Sequence, residues 1–219
     1  MRVIELKESI TASNDRDADA LREEMRREGT LLVNLMSSPG SGKTTLLSRI
    51  IEDLGGVWKV AVLEADIDAQ VDAERIEQKG ARSIQVHTDG MCHMDAGMTR
   101  TGLREMGTEG IDLAFLENVG NLICPAEFDT GAGKNVMLLS VPEGDDKPLK
   151  YPGMFQVAEA VILNKMDTLP VFDFDVKAFE DEVDNLNPGA PIFHIAATKD
   201  DGVKEWTDWL TEKIEAVAE

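Results

Sequence analysis

Cysteine is almost missing from this chain: Cys92 and Cys124 are the two in 219 residues. Two cannot build a disulfide framework, and in a reducing compartment both are expected as thiols. Basic residues are also short, with 22 Lys and Arg against 42 Asp and Glu, a formal net charge of −20. A surface of that sign repels nucleic acid and anionic membrane, so neither is expected as a partner, although it also suits a saline cytoplasm. No apolar run approaches the ~18–20 residues of a membrane span. The opening MRVIELKESITASNDRD has neither an apolar signal core nor transit-peptide character, so the chain reads as cytoplasmic. No internal repeat or second domain is visible, and the length, with 42% apolar residues, suits one α/β domain.

The stretch around which the rest is organised runs from Thr30 to Leu47. An apolar run of strand length, Leu31 to Met36, breaks into Ser, Pro and Gly. It resumes after Lys43 with Leu46, Leu47, Ile50, Ile51 and Leu54 at helical spacing. Strand, glycine-rich turn and helix are what a phosphate-binding loop requires, because glycines let backbone N–H groups approach an anion at the positive end of a helix. Ser38, Gly40, Ser41, Gly42, Lys43, Thr44 and Thr45 are the candidate nucleotide contacts. Lys43 can reach the β- and γ-phosphates, and the Thr44 hydroxyl can ligate Mg²⁺. Ser37 stands where the GxxxxGK[ST] pattern has its first glycine. The bland alternative is a turn that merely joins a strand to a helix, but a lysine at the helix start argues for phosphate.

Taken in order, residues 1–12 read as an irregular or short extended arm, and Ser13 to Glu28 as an amphipathic helix stopped by Gly29. Further strands are expected at Trp58–Leu63, Ser83–Val86, Leu113–Leu116, Asn135–Val141, Ala160–Leu163 and Ile192–Ile195. Helices are expected over Asp175–Leu186 and Val203–Val217, the latter with Trp206 and Trp209 as packing residues and His194 before it as structural. This alternation predicts an α/β P-loop NTPase: a mostly parallel sheet with helices on both faces, built by residues 30–219 behind an N-terminal arm and helix over 1–29. Acids just past strand ends then become informative, because ligands bind at the carboxyl edge of a parallel sheet. Asp66, Asp72 and Glu117 are candidate Mg²⁺ or water contacts, with Lys43, Asp66 and Glu117 as the catalytic candidates; a solvated helix start competes for Asp72. Gly120 offers a backbone N–H where a γ-phosphate would sit. Asn164-Lys165-Met166-Asp167 forms the NKxD pattern of guanine-specific P-loop proteins. A carboxylate at Asp167 accepts from guanine N1–H and N2–H₂, groups adenine cannot match. Ala197 and Thr198 fall where the guanine O6 is met by backbone.

Cys92 and His93 follow Gly90, and Cys124 lies seven residues past Glu117. Adjacent residues on a helix do not face one another, so Cys92 and His93 can share an ion only in irregular backbone. Two thiolates and an imidazole make a three-ligand set suited to Zn²⁺ or Ni²⁺, which a water or a two-fold dimer would complete. Taken without further context, the residues better suit inert, buried cysteines.

From about Thr30 onward the chain resembles the HypB family, the hydrogenase nickel-incorporation GTPases of the signal-recognition and MinD-like branch of P-loop proteins. SSPGSGKTTLL, DIDAQVDAERI, DGMCHMDA, ENVGNLICPA, NKMD and AATKDDG match in order, ENVGNLICPA most tellingly. The resemblance implies slow GTP hydrolysis, a GTP-dependent homodimer and a metal site at Cys92, His93 and Cys124. It further implies nickel insertion into [NiFe]-hydrogenase large-subunit precursors with a HypA-type accessory protein. Slow turnover also fits the want of an evident arginine finger or catalytic glutamine. The urease counterpart, UreG, carries Cys-Pro-His where this chain has Met91-Cys92-His93, which favours HypB. The cysteine-rich motif and His-rich stretch of some members do not occur in this sequence, so high-affinity nickel storage is not expected. Rival readings are a UreG-like nickel-insertion GTPase, a GTP-switched binding module with structural Zn²⁺, and a small-molecule kinase, against which Asp167 argues.

Overall fold

The apolar runs become strands of one sheet, laid down as β1 (Leu31–Ser37), β2 (Val60–Glu64), β3 (Arg82–Gln85), β4 (Leu113–Glu117), β5 (Lys134–Ser140), β6 (Ala160–Asn164) and β7 (Ile192–His194). The computed structural model describes residues 6–65 and 76–218, with side chains from Thr11 onward. Among the described residues the sheet has seven strands in the order β3-β2-β4-β1-β5-β6-β7, and every pairing is parallel. The five inner strands are buried on both faces and read as near-continuous apolar runs, which is why they were legible, while the edge strands β3 and β7 are half-exposed.

The longer helices are α1 (Leu6–Glu28), α2 (Lys43–Leu54), α3 (Ala96–Met106), α4 (Val176–Leu186) and α5 (Val203–Ala218). The pleat of β1 divides them. Leu31, Val33 and Leu35 face α2 and α5, where Leu46, Ile50, Trp206 and Leu210 are buried. Leu32 faces the other way, into a cluster with Leu21 and Met25 of α1 and Leu103 of α3. Met36 joins Phe179 and Val183 of α4 on that same face. Trp206 and Trp209 stack with ring centroids 5.0 Å apart, so both are packing residues as expected. His194 pairs with Glu180 at 3.0 Å. No described helix is long and apolar enough to cross a membrane.

Two boundaries differ from the sequence reading by more than one residue, for physical reasons. β2 begins at Val60 rather than Trp58, because the Trp58 N–H donates to the Leu54 carbonyl and completes the last turn of α2. Helix α1 begins at Leu6 rather than Ser13, so the expected irregular arm over 1–12 is helical from Leu6. Leu6 to Ser9 are good or neutral helix formers and extend a helix already fixed by packing further on. That packing is polar as well as apolar. The buried Asn14 side chain donates to the Asp129 carbonyl at 2.8 Å and accepts from the Ala96 N–H at 3.0 Å. Arg22 grips both carboxylate oxygens of Asp129, at 2.8 and 2.7 Å. Removing both Asn14 bonds with Asn14→Ala is expected to cost about 1–3 kcal/mol, since each partner loses a buried bond. Urea unfolding of the variant should give a lower midpoint at unchanged slope.

Candidate nucleotide and metal site

Every loop of interest leaves the carboxyl edge of the sheet. β1 sits between β4 and β5, and the segments after β1, β4, β6 and β7 meet above it. A groove of about 550 Å³ at the opposite edge holds none of the candidate residues and is rimmed by Arg22, Arg26, Lys134 and Lys213, all ion-paired.

The phosphate-loop residues form a tight turn between β1 and α2. Ser37 ends β1 as a strand residue outside the positive-φ region, so nothing there demands the missing glycine. Gly40 and Gly42 do have positive φ, +76° and +101°. Gly42 is the N-cap of α2 and makes no side-chain cap bond, as a phosphate-binding helix start requires. Lys43, the first helical residue, is buried; Thr44 follows half-buried and Thr45 exposed. The Ser38 hydroxyl is engaged by the Glu143 carboxylate, which also accepts from the Ser140 N–H at 2.7 Å.

The NKMD segment reaches back to that loop. The buried Asn164 side chain donates to the Ser41 carbonyl at 3.0 Å and accepts from the Ala197 N–H at 3.4 Å. Lys165 adopts φ +59° and extends its ammonium to the Gly40 carbonyl at 2.6 Å. Asp167 is exposed at the head of the turn Met166–Thr168, and Thr198 is exposed beside Ala197. The three segments thus share one rim, with Asn164 as the joint between the phosphate loop and the Ala197 loop.

After β4 the chain folds over the phosphate loop. The Asn121 N–H donates to the Ser37 carbonyl at 2.9 Å, and a Cβ on Gly120 would lie 3.0 Å from Pro39. Glu117 is buried and pairs in register with Glu64, also buried, whose carboxylate accepts from Ser83 at 3.3 Å. Asp66 and Asp72, the other candidate Mg²⁺ contacts, lie outside the described residues.

Cys92 and His93 occupy irregular backbone before Asp95 caps α3, which meets the condition set by their adjacency. Cys124 opens a single 3-10 turn, Cys124–Ala126. The two Sγ atoms are 2.8 Å apart, and His93 Nδ1 is 3.8 Å from Cys92 Sγ. Ligand atoms of all three residues fall within 4.8 Å of one another. The chemistry of this set fits a soft or borderline divalent ion. The hydrogen bond with Cys124, then burial and the neighbouring sulfur's charge, push the Cys92 thiol up, so a cation between the two sulfurs would favour their ionised, ligating form. Burial against Phe128, whose ring stacks at 3.9 Å, pushes the His93 pKa down and holds the imidazole neutral, the form that ligates. His93 Nε2 is buried without a hydrogen-bond partner. The competing picture of two inert core thiols does not describe Cys92, which is exposed.

Sequence reasoning passed over the asparagines. Asn34 in β1 donates to Asn135 at 2.9 Å and accepts from Asn118 at 3.0 Å; Asn118 in turn accepts from the Met94 N–H at 3.1 Å. The signal was a lone Asn inside the buried run LLVNLM, which needs a partner on the same face.

With this geometry in view, residues 31–194 match the model of the CobW/HypB/UreG nucleotide-binding domain. The chain belongs to this family. It is thereby a member of a family of P-loop GTPases, as the order of motifs implied. Hydrogenase maturation factor HypB of Azotobacter chroococcum is 44% identical over 95% of this chain and 68% of its own length. Hydrogenase/urease maturation factor HypB of Helicobacter pylori strain J99 is 40% identical over 96% of this chain and 88% of its own. A crystal structure of Helicobacter pylori HypB in complex with nickel superposes with a TM-score of 0.87 at 40% identity, over 93% of this chain and 96% of that one.

Proposed function

We propose that the protein is a GTP-hydrolysing nickel metallochaperone serving [NiFe]-hydrogenase maturation, in which nucleotide state and metal binding are linked through residues 117–124. Nickel is the cargo. The observation that carries the reading is that Cys124, at the end of that segment, meets Cys92 and His93, while Asn121 within the same segment is hydrogen-bonded to the phosphate loop. In this reading Ser38, Gly40, Ser41, Gly42, Lys43, Thr44 and Thr45 hold the phosphates, and Asn164, Lys165, Asp167, Ala197 and Thr198 hold guanine. Thr44, Asp66, Asp72 and Glu117 would hold Mg²⁺, which would neutralise phosphate charge during hydrolysis. Lys43 would draw negative charge toward the leaving GDP, Asp66 and Glu117 would act on Mg²⁺ and its water, and the Gly120 N–H would lie where the γ-phosphate sits. Water adds to the γ-phosphorus as the bond to the β-phosphate oxygen breaks, giving GDP and phosphate.

A three-ligand set is open, so a partner subunit related by a two-fold axis, or a water, completes it, and Zn²⁺ competes with Ni²⁺ there. A cytoplasmic GTP-dependent homodimer, a HypA-type accessory protein and the hydrogenase large-subunit precursor are the partners of this reading. A urease target is the second reading, favoured by the name of the Helicobacter pylori relative.

Native mass spectrometry with a non-hydrolysable GTP analogue and Ni²⁺ tests it by counting subunits and metal together. Dimers carrying metal are expected with the analogue, and a Ni²⁺ affinity that differs between the analogue and GDP. Equal affinities in the two nucleotide states would reject the link.

A further inference from the structure

We infer that Asn121 is the positioning residue that fixes the spacing of the two cysteine-bearing loops and ties that spacing to the phosphate loop. The inference rests on the proposed metal site and assigns its regulation to one side chain. Asn121 touches three separate segments. Its own N–H donates to the Ser37 carbonyl at 2.9 Å, where β1 runs into the phosphate loop. Its side-chain Nδ2 donates to the Cys92 carbonyl at 3.3 Å. Its Oδ1 accepts from the Ile123 N–H at 2.8 Å and the Cys124 N–H at 3.4 Å. One planar amide therefore holds the backbones of both sulfur ligands, from a residue whose main chain is anchored on the nucleotide side.

The neighbouring contacts make that anchor stiff. Gly120 packs close against the loop, where an added Cβ would meet Pro39 at 3.0 Å, so residues 120 and 121 lie against the segment that a shift of the loop at Pro39 would displace. Asn118, buried, holds the other end of the first ligand loop through the Met94 N–H. A shift of Ser37 to Gly40 on nucleotide exchange is thereby carried to Cys92 and Cys124 as a change in sulfur–sulfur distance. Both partners of an amide are needed for this. Asparagine donates to one loop and accepts from the other, whereas aspartate could only accept.

The test uses the full chain and the variants Asn121→Ala, which removes all three side-chain bonds, and Asn121→Asp, which keeps the acceptor and loses the donor. The first readout is metal-free: the rate at which diamide joins Cys92 to Cys124. Two thiols give up two protons and two electrons to the N=N bond of diamide, which becomes the hydrazine, and the S–S bond forms. Both variants are expected to react at least about fivefold more slowly than the parent chain. The second readout is Ni²⁺ affinity by chelator competition, in GDP and in the GTP analogue. A parent ratio in the ~5–150-fold range of allosteric couplings is expected to fall to within about twofold of unity in both variants. GTP affinity should stay within about threefold. Unchanged oxidation rates, or an affinity ratio that survives in both variants, would overturn the assignment. Loss of GTP binding in both would make Asn121 a residue of the fold and overturn it too. A parent ratio of one sinks the nucleotide–metal link itself and the coupling given to Asn121 with it, an outcome told apart from the others because it appears in the unsubstituted chain.

Discussion

Asp167→Asn is expected to weaken GTP binding by about 10²–10³-fold and to turn the protein toward xanthosine triphosphate. A carboxylate at this position accepts two bonds, from guanine N1–H and N2–H₂, each worth ~1.5–3 kcal/mol when one partner is charged. Full expression of both would give roughly two to four decades, at about 1.4 kcal/mol per decade. Asp167 is exposed, so water competes for the carboxylate and the lower half of that range applies. With asparagine, one bond to N1–H survives while the new NH₂ meets the guanine NH₂ donor to donor. Xanthine presents a carbonyl there instead and restores the match. Asp167 makes no structural bond in the described fold that its loss would break, whereas Asn164 and Lys165 do, so Asp167→Asn isolates base recognition from loop integrity. Competition of GTP and xanthosine triphosphate against a fluorescent GDP reads the effect. An unaltered GTP affinity would remove guanine from the NKMD segment.

The inner strands were legible because a parallel sheet buries both their faces, and apolar runs punctuated by Gly, Pro and acids have few other meanings. The phosphate loop was legible because its chemistry is local: Gly40, Gly42, Lys43 and Thr44 lie within five residues. The convergence of Cys92 and Cys124 is different in kind. It depends on how two loops return over one another, and spacing along the chain carries no distance across it. Family motifs supplied what geometry could not. Asn14 and Asn121 were invisible for the converse reason, that an asparagine among polar neighbours looks like any turn residue. Only the fold reveals that Asn14 bridges residues 82 and 115 positions away, or that Asn121 reaches Cys92 from 29 positions away. The extension of α1 to Leu6 went unread because helix propagation from a packed segment needs no apolar stripe of its own.

A single methyl group at Gly42 should disable both halves of the nucleotide site at once. At φ +101° an alanine is strained by about 1–2 kcal/mol. Its Cβ would also lie 2.6 Å from the Asn164 side-chain nitrogen, too close for either atom to stay. Asn164 is buried and pinned between Ser41 and Ala197, so it yields only by giving up bonds worth about 1–3 kcal/mol. Together these predict a loss of GTP affinity of roughly 10²–10³-fold for Gly42→Ala at about 1.4 kcal/mol per decade. The damage should spread to base selectivity, since Asn164 shares its loop with Asp167. A double variant separates the two causes. Asn164→Ala opens the space that the Gly42 methyl needs, so Gly42→Ala in that background should cost only the backbone strain, about one decade. Calorimetric titration of the four proteins with GDP closes the cycle. Fully additive losses would mean that the methyl acts on the phosphates alone and that Asn164 is no joint between the two halves.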